Sequence, residues 1–136
     1  MIKISVCDDD EGQLTFFKQC FMEYNEKHKE KIEANFYQSV QSLLNEKKFS
    51  PDVYFLDIEL QDGNGLKLAG KIRTRNSKIP IVFITSHEEF MPEAFHVHAY
   101  QYLNEKKNAQ AVENVLNQLA DYFSEQNQIF SFQTYG

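Results

Sequence analysis

Short runs of apolar, β-branched and aromatic residues alternate along the chain with longer stretches whose apolar positions recur every three or four residues. Ile2–Cys7, Ile32–Tyr37, Val53–Leu56, Ile81–Ile84 and a shorter run over 100–103 have the first character and predict strands. Val53–Leu56 and Ile81–Ile84 are nearly all apolar, as strands covered on both faces of a parallel sheet must be. Between the strands, Leu14, Phe17, Phe21 and Tyr24 fall on one helix face. Val40, Leu43 and Leu44 predict a short helix capped by Ser39. Leu66, Ala69 and Ile72 predict a third, after the turn Asp62-Gly63-Asn64-Gly65. Phe90, Ala94, Phe95 and Val97 give a less regular fourth, with Pro92 in its first turn. Val112, Val115, Leu116, Leu119 and Phe123 make the clearest helical stripe.

Five repeats of strand then helix imply an α/β fold: a doubly wound, five-stranded parallel sheet with right-handed crossovers and helices on both faces. Ligands of such sheets sit beyond the carboxyl ends of the strands. Function is therefore expected just after Cys7, Leu56, Ile84 and Leu103. Residues after Phe123 leave the pattern: 125–128 are polar, and 129–135 alternate apolar and polar like an edge strand. The expectation is one domain over 1–123, then a linker and the opening strand of a further domain over 124–136.

Composition narrows the function. A length of 136 residues suits one core, and 42% hydrophobic residues exclude a disordered chain. Twelve Phe and no Trp predict a core built on phenylalanine. The net charge of −6 argues against general binding to nucleic acid or anionic lipid. Two cysteines, Cys7 and Cys20, make no disulfide scaffold. No apolar run is long enough to cross a bilayer, so the reading is a cytoplasmic protein without membrane contact.

The chemistry gathers at the predicted strand ends. Asp8, Asp9, Asp10 and Glu11 follow the first strand, and Asp57 ends the third. Thr85 and Ser86 end the fourth, and Glu105, Lys106 and Lys107 follow the fifth. Carboxylates brought together repel unless a cation neutralises them. An all-oxygen set suits a hard divalent ion such as Mg2+. With a hydroxyl nearby, such a group suits phosphoryl transfer. Plainer readings exist: the acidic run favours a helix N-terminus, Thr85 and Ser86 cap the next helix, and Tyr102 packs in the core.

Val6-Cys7-Asp8-Asp9-Asp10, Tyr54-Phe55-Leu56-Asp57-Ile58-Glu59-Leu60, Asp62-Gly63-Asn64-Gly65-Leu66 and Ile81-Val82-Phe83-Ile84-Thr85-Ser86 resemble the receiver domain of two-component response regulators. The stretch from Thr85 to Phe95 is similar to the LytTR-type (LytR/AlgR-like) subgroup. The resemblance implies a flavodoxin/CheY-like sheet of order 2-1-3-4-5. It also implies that Asp57 accepts a phosphoryl group from a sensor histidine kinase, with Mg2+ held by Asp8, Asp9, Asp57 and the Glu59 carbonyl. Thr85 and Tyr102 match the switch residues. A homodimer on activation is implied, with DNA reached only through a further C-terminal domain. Such a protein is no turnover enzyme: it transfers once to itself and loses the phosphoryl group by hydrolysis.

One position departs from the pattern. The family carries a Lys after the fifth strand, where this chain has Glu105. An anion there repels a phosphorylated Asp57. Lys106 comes one residue late, and adjacent strand residues face opposite ways, so only a bulge or loop shift re-aims it. On this reading Glu105→Lys raises phosphorylation. Two rivals follow: a pseudo-receiver that binds partners without stable phosphorylation, and a small phosphatase of the haloacid-dehalogenase kind. The second lacks its Asp-x-Asp-x-Thr motif here.

Overall fold

The runs expected as strands pair in one parallel sheet because nearly every side chain in its middle is apolar. In the computed structural model, which describes the backbone of residues 1–135 and the side chains of residues 1–127, β1 (Ile2–Cys7) pairs with β2 (Ile32–Tyr37) on one side and β3 (Val53–Leu56) on the other. After β3 comes a two-residue antiparallel ribbon, β4 (Glu59–Leu60) with β5 (Gly63–Asn64). The main sheet resumes with β6 (Ile81–Ile84) beside β3 and β7 (Gln101–Leu103) beside β6. Its order is β2-β1-β3-β6-β7. Counted without the ribbon, this is the expected 2-1-3-4-5.

Two apolar layers cover the sheet. On one face α1 (Glu11–Lys27) and α5 (Ala109–Tyr135) bring Phe17, Phe21, Val115 and Leu119 against Val6 and Phe55. Phe17 and Phe21 both meet the Phe55 ring edge-on, with centroids 5.8 Å apart in each case. Each buried Phe contributes about 1.5–3 kcal/mol, so these rings anchor α1 to the sheet. On the other face α2 (Val40–Leu44), α3 (Gly65–Arg75) and α4 (Met91–His96) close over Leu56, Ile58, Ile81 and Phe83.

Helix starts follow local chemistry. Asp10 caps α1 by accepting from the Gly12 N–H, and Ser39 caps α2 through the Ser42 N–H. The Asp62 carboxylate, reaching back from the ribbon, also accepts from the Val40 and Gln41 N–H groups. Asn64 caps α3, and the Asn108 side chain accepts from Ala111 at the start of α5.

The far end of α4 is held by Arg73. Its guanidinium donates to the carbonyls of Val97 (2.8 Å), His98 (3.0 Å), Ile79 (2.5 Å) and Asn76 (3.4 Å). His98 itself has a left-handed backbone, φ 56°, which turns the chain toward β7.

The C-terminal stretch differs from expectation. The alternation over 129–135 predicts an edge strand, but the backbone continues α5 as a helix to Tyr135. A strand needs a neighbour to take its ladder bonds, whereas a helix satisfies its backbone locally. The side chains of 128–136 lie outside the described residues.

Candidate functional site

The sheet register brings three acids together. Cys7 pairs with Leu56, so Asp8 and Asp57 leave β1 and β3 side by side, and the Asp57 N–H donates to the Cys7 carbonyl (3.0 Å). One carboxylate oxygen from each of Asp8, Asp9 and Asp57 lies within 4.8 Å of the others. Asp8 is 2% exposed and Asp57 5%. Backbone N–H groups orient two of the acids: Asp10 donates to Asp8 Oδ1 (2.9 Å) and Gln61 to Asp9 Oδ2 (3.0 Å).

This clustering strains ionisation. Burial pushes the Asp8 carboxyl up from 3.8 to about 6, with the Asp57 and Asp9 charges adding and the Asp10 N–H and Lys106 opposing. Burial raises Asp57 as well, against the pull of Lys106. Asp57 Oδ1 is fully buried and among the described residues has no hydrogen-bond partner. A buried oxygen left unpaired is costly, and an all-oxygen set around it fits a hard divalent cation such as Mg2+.

Lys106 supplies the cation that Glu105 does not. Its ammonium lies 2.8 Å from Asp57 Oδ2 and 3.6 Å from Asp8 Oδ2. Burial works against the ammonium, but the bonds and charges of Asp57 and Asp8 outweigh it and raise its pKa. The expectation that Glu105 faces Asp57 is thereby corrected, and Lys106 takes the place of the usual Lys by the loop shift it required. β7 ends at Leu103, so Glu105 and Lys106 lie in a turn where strand alternation no longer applies. The Glu105 side chain is exposed and accepts from Asn108 Nδ2 (3.0 Å).

Two residues that support the site were missed by the sequence reading. Gln13, 1% exposed on α1, donates its amide to the Lys106 carbonyl and so fixes the turn that carries Lys106. Gly65 starts α3 hard against Asp57: a Cβ there would stand 2.1 Å from the Asp57 carbonyl oxygen.

The remaining candidates line the neighbouring strand ends. Thr85 is fully buried after β6, its N–H bonded to the Leu103 carbonyl and its Oγ1 accepting from the His87 N–H (3.2 Å). Tyr102, half-buried on β7, donates its hydroxyl to the His87 carbonyl. Glu59 opens β4 two residues after Asp57, and its exposed carboxylate meets His87 Nε2 at 3.1 Å. His87 Nδ1 faces Glu89 at 3.2 Å.

Residues 4–117 match the family described as the response regulator receiver domain. The chain belongs to that family. Receiver domains act in two-component signal transduction, bind Mg2+ at acidic residues, interact with sensor histidine kinases and often dimerise. This receiver is 29% identical over 120 residues to an uncharacterized response regulatory protein of Yersinia pestis, covering 88% of the chain and 49% of that protein. It is 32% identical over 95 residues to the sensory transduction protein LytR of Staphylococcus haemolyticus, covering 70% of the chain and 36% of LytR. The chain thus spans half or less of the length of these relatives. Among solved structures, the receiver fold matches the BeF3-activated DrrB receiver domain with a TM-score of 0.76 at 19% identity, over 89% of this chain and 98% of that one. It also matches TrrA of Thermotoga maritima, solved with Mg(2+)-BeF, with a TM-score of 0.73 at 22% identity, over 88% and 99%. No described helix is long and apolar enough to cross a membrane.

Proposed function

We propose that this receiver takes a phosphoryl group from a sensor histidine kinase onto Asp57 and passes the change to an output surface. The observation that carries the reading is the Lys106 ammonium 2.8 Å from Asp57, beside three acids whose oxygens converge within 4.8 Å. In the transfer, an Asp57 carboxylate oxygen forms the new P–O bond as the P–N bond of the phosphohistidine breaks. Asp8, Asp9, Asp57 and the Glu59 carbonyl are the residues that hold Mg2+, which when bound offsets the negative charge on the transferring phosphoryl oxygens. Lys106 pairs with a phosphoryl oxygen in the same low-dielectric pocket. The buried Thr85 hydroxyl moves to donate its O–H to another oxygen, which alters the bond that its Oγ1 accepts from the His87 N–H.

Movement of Thr85 reaches Tyr102 through His87, whose N–H bonds one side chain and whose carbonyl bonds the other. The surface altered is that of α4, β7 and α5, where Phe95 is 68% exposed. A homodimer formed there, in the cytoplasm, transmits the signal. Similarity at 31% identity over 68 residues to the transcriptional regulatory protein LytR of Staphylococcus aureus supports transcriptional control as the output, exerted through a further DNA-binding domain. The protein turns over no outside substrate; it accepts one phosphoryl group and loses it by hydrolysis. The pseudo-receiver reading rested on Glu105, and the pairing of Lys106 with Asp57 removes that support.

The test is intact-protein mass after incubation with Mg2+ and acetyl phosphate, beside Asp57→Asn. One added phosphoryl group that needs both Mg2+ and Asp57 is the expected result. No addition from acetyl phosphate or from a phosphorylated histidine kinase, with Mg2+ binding verified, refutes the phospho-switch and returns the pseudo-receiver.

A further inference from the structure

A second cleft lies at the opposite end of the sheet from Asp57, between α2 and α3. Ser50 and Pro51, just before β3, and Ile79, just before β6, line its lower edge. We propose that this cleft binds a small amphipathic carboxylate, with a flat apolar body seated against β3 and its anionic head at Arg75. The inference is independent of phosphoryl transfer at Asp57.

The cleft encloses about 350 Å³, a size that suits a small molecule. Leu44, Phe49 and Tyr54, each half-buried, give it an apolar floor, with Ile72 buried beneath them. Lys47, Lys71 and Arg75 stand round it, and among the described residues none of the three is in an ion pair. The lining carboxylate, Glu46, accepts from the Asn35 amide at 3.4 Å, on the β2 side. The Tyr54 hydroxyl is in no hydrogen bond among the described residues. Arg75 is near enough to that phenol to oppose the rise that burial and Tyr37 give it.

Helix ends explain only part of this. Lys47 follows α2 and Arg75 closes α3, where cations offset the helix dipole. Lys71 lies in the body of α3, and no dipole accounts for an uncovered aromatic floor between the three charges. Together they match one ligand chemistry: the planar guanidinium takes a carboxylate through two N–H donors, the phenol adds a third, and the floor takes the apolar body.

Titration of 2-naphthoate into the full, 15N-labelled chain tests the proposal, read by amide resonances. The expected result is a saturable set of shifts over residues 44–54 and 71–79, with the resonances of Asp8, Asp9 and Asp57 unmoved. Arg75→Gln and the neutral analogue 2-naphthamide each weaken binding by about tenfold or more, the loss expected for a charge-assisted bidentate pair. Arg75 is exposed and makes no described side-chain bond, so the variant keeps the fold. Absence of saturable shifts, shifts centred elsewhere, or equal binding of the amide overturns the proposal.

Discussion

Replacing Asp8 by Asn should stabilise the metal-free protein at neutral pH. Asp8 is 2% exposed, and its carboxyl is pushed up from 3.8 to about 6. One pH unit of such a rise corresponds to about 1.4 kcal/mol, so ionised Asp8 costs the fold roughly 3 kcal/mol above pH 6. The sign follows from proton counts. Between pH 3.8 and about 6 the folded state binds more protons at Asp8 than the unfolded chain does, so stability falls as pH rises through that window. Asn keeps the shape and the oxygen that accepts from the Asp10 N–H, without the charge. Urea unfolding of both proteins in a chelator, from pH 4 to 8, should show no difference at the acid end and an advantage for Asp8→Asn growing to about 3 kcal/mol above pH 6. Added Mg2+ should then raise the midpoint of the natural chain far more than that of the variant, because a ligand that binds only the folded state stabilises it by mass action. A variant that is less stable at neutral pH, or a difference that does not vary with pH, refutes the claim that burial and crowding strain this carboxylate.

Lys106→Met should cut acetyl-phosphate labelling by about tenfold or more and, with its ammonium part-exposed, cost about 1–3 kcal/mol in metal-free buffer. Glu105→Lys should leave labelling within about twofold, against the rise expected from sequence alone; intact mass over time reads both. Gly65→Ala drives a methyl into the Asp57 carbonyl at 2.1 Å and should cost about 3 kcal/mol in thermal unfolding. Gly70→Ala, also in α3 but with nothing within 4 Å, should gain about 0.5–1 kcal/mol and serves as its control.

The sheet was legible because its strands are short, apolar and bounded, and the acids were legible because Asp8 and Asp57 follow such runs directly. The ribbon at Glu59–Leu60 and Gly63–Asn64 was not, since two-residue strands carry no periodicity. The loop shift that brings Lys106 to Asp57 was not legible for a related reason: side-chain alternation holds only while the strand lasts, and β7 stops at Leu103. Gln13 carried a usable signal. It lies four residues before Phe17 on the buried stripe of α1, and a polar group in such a place needs a partner, here the Lys106 carbonyl. The alternation over 129–135 misled because it describes a preference for a neighbour, and helical backbone asks for none.

The grip of Arg73 on four carbonyls bears on how α4 moves. The helix is only six residues long, and its far end is pinned to the α3–β6 connection by a guanidinium. Its near end is held by side-chain contacts: His87 to Thr85, Tyr102 and Glu59, and the Asn104 amide to Glu88. With Arg73 bonded to the carbonyls at one end and Ala94 buried in the middle, a displacement of α4 is expected to be smallest at Val97 and His98 and largest at Glu88–Met91, the segment next to Thr85.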